Sequence, residues 1–420
     1  MRSKLQSLLT QKAIKTLWVA YSGGLDSTVL LHLATQFSSK DTQVKGIQVK
    51  AIHIHHGLST HADLWQQHCQ QTCKHLGIPI ECIQLESSPK KGESIEAWAR
   101  SERYNAFKDC LDKYPESQHN AIALAQHQDD QAETFLLQAI RGSGLPGLSA
   151  MPEIKAFEHR CILIRPLLSF SRTEILNYAQ THELKWVEDD SNTDTRFSRN
   201  FLRHEIMPKL QEKWSQATKT LSRTAQHCAE AQNLLNTYLK NDLQLLITAD
   251  NSLHLIKLMQ KPILQQKALL RLWCQQQLIH PPTTAQVAQI VTALPNASSG
   301  WRHSWGAVTI GLYKEKLSLI ENSDIHTPLQ IPTCNVIEKW WFEKCEISMP
   351  EAYRKNLIIR ARQPNDTCHL EGRPYSQKLK IIFQEMDIPS WERHKAVIIE
   401  VDNAIVAIYP FFVCQPITPK

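Results

Sequence analysis

Ser22-Gly23-Gly24-Leu25-Asp26-Ser27 follows the apolar run Leu17-Trp18-Val19-Ala20 and runs straight into the helix-like stretch Thr28-Val29-Leu30-Leu31-His32-Leu33. A β-prone run, a hydroxyl, paired glycines and then a helix make a phosphate site. Glycine lets backbone N–H groups approach an anion closely, and the helix N-terminus is electropositive. The loop is not G-x-x-x-x-G-K-[ST], and it holds no lysine to reach a β- or γ-phosphate. Cradling phosphate without that lysine suits an enzyme that expels pyrophosphate and leaves AMP on its substrate. A second set of groups lies in Gln126-His127-Gln128-Asp129-Asp130-Gln131-Ala132-Glu133-Thr134. Asp130 and Glu133, at i and i+3, share a helix face and can grip a cation or accept a proton. Acids at a helix start also complement its dipole without any ligand, but two adjacent aspartates and a glutamate beside a phosphate loop favour a site.

Both sets need elements that bring them together. Apolar β-rich runs at 17–20, 49–54, 78–83, 121–125 and 161–164 alternate with amphipathic helical stretches up to about residue 210. That order predicts an α/β fold with a doubly wound parallel sheet, whose ligands bind at the carboxyl ends of the strands. Ser22–Ser27, His55-His56-Gly57-Leu58 and Gln126–Asp130 all stand at such ends. From Lys213 to Lys240 the chain reads as a long linker helix with a packed stripe of Trp214, Leu221, Cys228 and Leu235, joined by Ala217, Ala231 and Tyr238. Helical stretches at 262–277 and 284–294 and β-like stretches at 307–312 and 317–320 follow. Beyond the polar, proline-bearing segment around 322–332 comes a small α+β region with strands at 356–361, 397–401 and 404–409 and a helix at 377–386. The expected domains are 1–210, 211–325 and 335–420.

Composition fits this plan. The 420 residues suffice for two or three domains with proper cores. A net charge of +6 permits a nucleic-acid partner without establishing one. Eleven cysteines form no C-x-x-C pair, which argues against a zinc ribbon or an iron–sulfur site, and the absence of a disulfide-like framework fits a reducing compartment. His68, Cys69, Cys73 and His75 suggest a metal cluster at first sight, but Cys69 and Cys73 on one helix face are better read as packing. The amino terminus lacks the apolar stretch of a signal peptide and no apolar run approaches the ~20 residues of a membrane span. A cytoplasmic protein with no membrane partner is expected.

SGGxDS in its strand–loop–helix setting resembles the PP-loop ATP pyrophosphatases. Further motifs narrow this: Glu96-Ala97-Trp98-Ala99-Arg100 with Arg103-Tyr104, Arg141-Gly142-Ser143-Gly144, Arg165-Pro166-Leu167-Leu168, and Glu188-Asp189-Asp190-Ser191-Asn192 ahead of Arg199-Asn200-Phe201-Leu202-Arg203. In this order, with the loop and the His55–Leu58 run, they resemble the tRNA(Ile)-lysidine synthase family, strongly over the first ~210 residues and more weakly beyond. Two positions depart from the common pattern: Gln126 where many members have His, and Ser59 where many have Arg. The resemblance implies ligation of L-lysine to the wobble cytidine of the isoleucine tRNA with a CAU anticodon, driven by ATP and Mg²⁺. It assigns Ser22, Gly23, Gly24, Leu25, Asp26 and Ser27 to the nucleotide, with Asp26 near the metal. Asp130 and Glu133 are expected to hold the lysine ammonium, with Asp130 as its base, because a group with a pKa near ~10.4 must lose a proton before it attacks. Arg100, Arg199 and Arg203 are expected to neutralise phosphate charge.

The methionine tRNA carries the same anticodon, so something must extend the reach of the first domain. Arg354–Lys395 holds nine Lys/Arg against five Asp/Glu, with Tyr375, Phe383 and Trp391 among them. Two readings stay open for it: RNA phosphate contact and base stacking, or a solvated face over ordinary core aromatics. The stretch resembles the family's C-terminal domain, including Arg360-x-Arg362, Lys378-Leu379-Lys380 and Ile388-Pro389-x-Trp391. A homodimer stays open. The rivals are a thiolating PP-loop enzyme acting on tRNA, which would bring the C-x-x-C pairs missing here, and a non-catalytic nucleotide-gated RNA-binding protein.

Overall fold

The computed structural model describes the chain except residues 38–45, 58–60, 86, 88, 90–93, 115–118, 159–160, 189–193, 278, 280–281, 323–330, 371 and 415–420. The chain forms two compact units, Met1–Leu235 and Asn236–Lys420. The first is built on a six-stranded sheet of β1 (Thr16–Ala20), β2 (Gln48–His55), β3 (Ile80–Gln84), β4 (Asn120–Ala123), β5 (Ile154–Ala156) and β6 (Cys161–Ile164), in the order β3-β2-β1-β4-β6-β5. Five strands are parallel; β5 is an antiparallel edge three residues long, too short to carry a pattern of its own. Its helices are α1 (Arg2–Gln11), α2 (Leu25–Thr35), α3 (Ala62–His75), α4 (Ile95–Asp112), α5 (Gln128–Ile140), α6 (Leu145–Leu148) and α7 (Arg172–Thr181).

Side chains alternate across each strand, and here both faces are covered. Leu17 and Val19 of β1 enter a core with residues of α1, α2, α3 and α7, while Trp18 enters a second core with Phe107, Cys110 and Leu111 of α4. Cys69 and Cys73 lie in the first core, where burial pushes the pKa of the Cys73 thiol up to about 12. This is the doubly wound arrangement expected. Strand order reverses between β1 and β4, so the crevice at their carboxyl ends is the topological switch point where such folds bind ligands.

The chain then runs through α8 (Ser198–Phe201), a π-helical turn at Leu202–Ile206, α9 (Met207–Lys213) and α10 (Ala217–Leu246). The expected packed stripe fails. Trp214 precedes α10, and it, Leu235 and Tyr238 are exposed; the side chains α10 buries are Ala217, Thr218, Ala225, Leu243 and Leu246. A seven-residue period gives a face, not a partner for it.

In the second unit, β7 (Leu253–His254), β8 (Arg302–Trp305), β9 (Val308–Tyr313) and β10 (Lys316–Glu321) form an antiparallel sheet ordered β7-β10-β9-β8. One face, with Ile310, Leu312 and Leu317, packs on the helices Ile263–Gln276 and Thr284–Ala293. A second sheet joins β11 (Leu357–Ala361), β14 (Val397–Val401), β15 (Ala404–Tyr409) and β16 (Phe412–Val413), with β12 (Thr367–Cys368) and β13 (Gln377–Lys378) paired beside it. Ile398 and Ile408 pack on the helix Leu379–Glu385, and Ile399 and Val401 on the helix Cys334–Cys345.

Two expectations change here. Of the three aromatics considered for base stacking only Tyr375 is exposed; Phe383 is a core residue and Trp391 is buried. Arg360 is committed as well, bonding both carboxylate oxygens of Asp366 and reaching Glu400 at 2.8 Å. Cys368 and Cys414 are joined by a disulfide across 46 residues, which corrects the reading of the cysteines as free of any disulfide pairing; no sequence motif announces it. The nine other cysteines are free.

Candidate active site

The loop after β1 is held by its own hydroxyls. Ser22 Oγ lies 3.0 Å from Ser27 Oγ, Ser27 Oγ donates to Gly24 O at 3.0 Å, and Thr28 Oγ1 donates to the same carbonyl at 2.9 Å. Gly23 has φ +86°, and a Cβ there would stand 3.0 Å from Cys69 Sγ and 3.1 Å from Val187 Cγ2. Both conformation and space therefore demand glycine. The backbone N–H of Val187 donates to Gly23 O, tying the loop to the segment before α8. No side chain caps α2, whose first turn leaves N–H groups for an anion.

Asp26, in that first turn, faces His127 at the start of α5, with Oδ2 3.7 Å from Nε2. His127 is almost fully buried and caps α5. Burial alone would lower its pKa, but the hydrogen bond with Asp129 and the carboxylates of Asp130 and Asp26 outweigh that and raise it. Asp26 moves up from the usual carboxylate range because burial and Asp130 outweigh the favourable charge of His127. Its Oδ1 is buried and has no hydrogen-bond partner among the described residues. Among the described residues no group of three or more His, Cys, Asp or Glu surrounds a metal position. A single carboxylate with an unused oxygen beside a phosphate loop fits Mg²⁺, which is commonly held by one or two carboxylates plus substrate phosphates and water.

Asp130 and Glu133 do share a face, and it is occupied. Arg199 Nε bonds Glu133 at 2.8 Å and Arg199 Nη2 bonds Asp130 at 3.0 Å; Arg203 Nε bonds Glu133 at 2.7 Å and Arg203 Nη2 bonds Asp130 at 2.9 Å. Arg199 and Arg203 straddle the junction of α8 and the π-turn, a helix irregularity frequent at functional sites. Burial would push Asp130 up, but His127 and the two guanidinium groups overcome it and hold the carboxylate below its usual range. Both arginines are held above theirs by the same pairing, against the cost of burial.

Arg100 is not part of this network. It lies on α4 over the ring of Tyr104, 5.1 Å from its centroid, and donates to Tyr104 Oη at 3.3 Å. Burial and the neighbouring Arg100 lower Arg103 from the usual arginine range. Arg165, fully buried, donates through Nε to Gln126 Oε1 at 3.1 Å and through Nη1 to Pro152 O at 2.7 Å. A neutral acceptor at position 126 therefore braces a buried cation and leaves its charge uncancelled. Ser59 and Asp189–Asn192 lie outside the described residues.

Sequence reasoning named the loop, Asp26, Asp130, Glu133, Arg199 and Arg203 as candidates, and the fold gathers them at the β1/β4 crevice. It missed His127, whose signal was present as the cap position directly ahead of the acidic turn, and it missed the bond between Gln126 and Arg165, which joins residues 39 apart.

Residues 1–210 match the family model of the PP-loop domain, residues 253–318 that of the TilS substrate binding domain, and residues 357–418 that of the TilS substrate C-terminal domain. Proteins named tRNA(Ile)-lysidine synthase are similar over nearly the whole chain. The one from Francisella tularensis is 38% identical over 403 residues, covering 94% of each chain. Those from Coxiella burnetii and Haemophilus influenzae are each 34% identical, covering 99% and 98% of this chain and 93% and 98% of their own. The chain belongs to the tRNA(Ile)-lysidine synthase family.

Proposed function

We propose that the chain ligates L-lysine to C2 of the wobble cytidine of the CAU-anticodon isoleucine tRNA, with release of pyrophosphate and AMP. The observation that carries this reading is the meeting, in one crevice, of a lysine-free phosphate loop, a carboxylate with an unused buried oxygen, and a buried acid pair. Cytosine O2 is a poor leaving group. Its attack on the α-phosphate expels pyrophosphate and forms an O2–P bond; attack of the lysine ε-amine on C2 then breaks the C2–O2 bond, and AMP departs. The modified base pairs with A, so the tRNA reads AUA in place of AUG.

The residues divide the work. The N–H groups of Leu25 to Ser27 hold phosphate oxygens, and Asp26 would hold Mg²⁺, which when bound would offset the charge developing on the departing pyrophosphate. The carboxylates of Asp130 and Asp26 raise the pKa of His127, and in its protonated form His127 offsets their charge. Asp130 and Glu133 are the site for the lysine ammonium. In the present state Arg199 and Arg203 fill that position, and phosphate oxygens of the tRNA or nucleotide compete for the same guanidinium donors, releasing carboxylate oxygens to the amine. The lowered pKa of Asp130 suits holding a cation and makes it a weak base.

No described helix is long and apolar enough to cross a membrane, and with tRNA, ATP and free lysine as reactants we place the reaction in the cytoplasm. The catalytic groups named all come from one chain, so the reading holds for a monomer or a homodimer. The test is AMP release in the presence of that tRNA: it should require lysine and tRNA together, while a nucleotide-gated RNA-binding protein would show neither dependence.

A further inference from the structure

Trp391 is almost fully buried, yet it belongs to none of the hydrophobic cores of its unit. It fills a notch in the outer face of the β7–β10 sheet. The floor of the notch is Gly311, in the middle of β9, where a Cβ would stand 2.9 Å from Trp391 Cζ3 and 3.1 Å from Cη2. Gly311 is not among the glycines with positive φ, so what it supplies is room. A glycine inside a strand marks a close approach of this kind.

The surroundings converge on the same joint. Tyr313, two residues along the same face, meets the indole edge-on at 6.2 Å, and Arg302, the β8 partner of Gly311, lies over it at 5.6 Å. Arg393 donates through Nη2 to Tyr313 Oη at 3.1 Å and through Nε to Ile388 O at 2.9 Å, bracing its own loop while gripping the sheet. Lys314 pairs with Asp387, and Arg302 Nη2 donates to Ser390 Oγ at 3.4 Å.

We propose that Trp391, seated on Gly311, pins the C-terminal region to the middle sheet so that both present one rigid tRNA-reading surface, making Trp391 a specificity-determining positioning residue. The proposal rests on the tRNA reading given above. Domains within a chain move relative to one another unless their interface holds them. Two weak RNA contacts joined rigidly at the right span reinforce each other, and loosening the joint forfeits that gain. A rigid span also penalises a tRNA whose features are spaced differently, which is what telling two CAU-anticodon tRNAs apart requires.

The experiment compares full-length wild type with Trp391→Ala, Trp391→Phe and Gly311→Ala. Three quantities are read: amide hydrogen exchange of residues 308–313 and 387–395, affinity for isoleucine and methionine tRNAs, and affinity for ATP. Trp391→Ala and Gly311→Ala, which attack the joint from opposite sides, should both accelerate exchange, lower isoleucine-tRNA affinity by about tenfold or more, and compress its preference over methionine tRNA. ATP affinity should stay at wild type, and Trp391→Phe should recover part of the loss. If Trp391→Ala fails to fold, Gly311→Ala carries the test. Faster exchange with unchanged tRNA affinity and preference would overturn the proposal and leave the joint a matter of stability alone. Weaker tRNA binding with unchanged exchange would overturn it too, because Trp391 would then touch RNA directly. A wild type with no preference between the tRNAs would overturn the specificity role through the functional reading itself, and the exchange data would still report the joint.

Discussion

Asp130, Glu133, Arg199 and Arg203 stand or fall together. Each carboxylate bonds both guanidinium groups, so removing one acid leaves two cations short of charge in a largely buried place. Breaking a fully buried pair costs about 3–5 kcal/mol; the two arginine side chains keep 26% and 24% of their surface in water, so Glu133→Gln should fall at or below the lower end of that range in urea unfolding. In kinetics the same variant, or Asp130→Asn, should raise the lysine KM or depress transfer more than it changes ATP affinity; wild-type lysine dependence with collapsed ATP affinity would assign the acids to the nucleotide. Asp26→Asn should fold and lose AMP release. His127 gives a pH signature. Its folded pKa is raised, so the stability it contributes is fully present below the unfolded value of about 6.5 and is lost as pH rises through the folded one. The stability gap between wild type and His127→Gln, followed by urea unfolding against pH, should therefore shrink on the alkaline side; a constant gap would mean that His127 is neutral throughout. The acids were legible because their spacing is local. Their occupancy by arginines some seventy residues later was not, since only the fold closes that distance.

At the level of elements, five strands of the catalytic sheet and their parallel direction could be read from apolar runs separated by helical periods, because both faces of that sheet are covered. β5 escaped because three residues at an edge carry no pattern, and the packed stripe on α10 failed because periodicity reports amphipathicity and not what covers it. The loop after β1 is the element most sensitive to substitution. Gly23→Val would place a branched side chain at φ +86° against Cys69 and Val187. It should lower ATP affinity by at least about tenfold, measured by titration calorimetry, while leaving tRNA binding by the second unit nearly unchanged; normal ATP binding would remove the loop from the nucleotide site.

On the scale of the whole molecule, the basic C-terminal segment divides in a way that composition alone did not reveal. Arg360 is spent on internal acids, and Phe383 and Trp391 on packing. Exposed Lys378, Lys380 and Lys395 have no acid partner among the described residues and are the candidates for binding phosphate. Replacing each with Gln should reduce the slope of log affinity against log salt by about one for every phosphate left unneutralised, with little effect on preference between tRNAs; an unchanged slope for the triple variant would place the RNA elsewhere. All of this depends on the reaction. Its most direct test is mass spectrometry of the CAU-anticodon isoleucine tRNA after incubation with the full-length protein, ATP, Mg²⁺ and L-lysine. The expected product is a wobble nucleoside heavier by one lysine less water, formed one for one with AMP and absent from the methionine tRNA and from reactions with Asp26→Asn. An unmodified wobble cytidine after full incubation with folded wild-type protein, whether or not ATP is consumed, would refute the lysine-ligating activity.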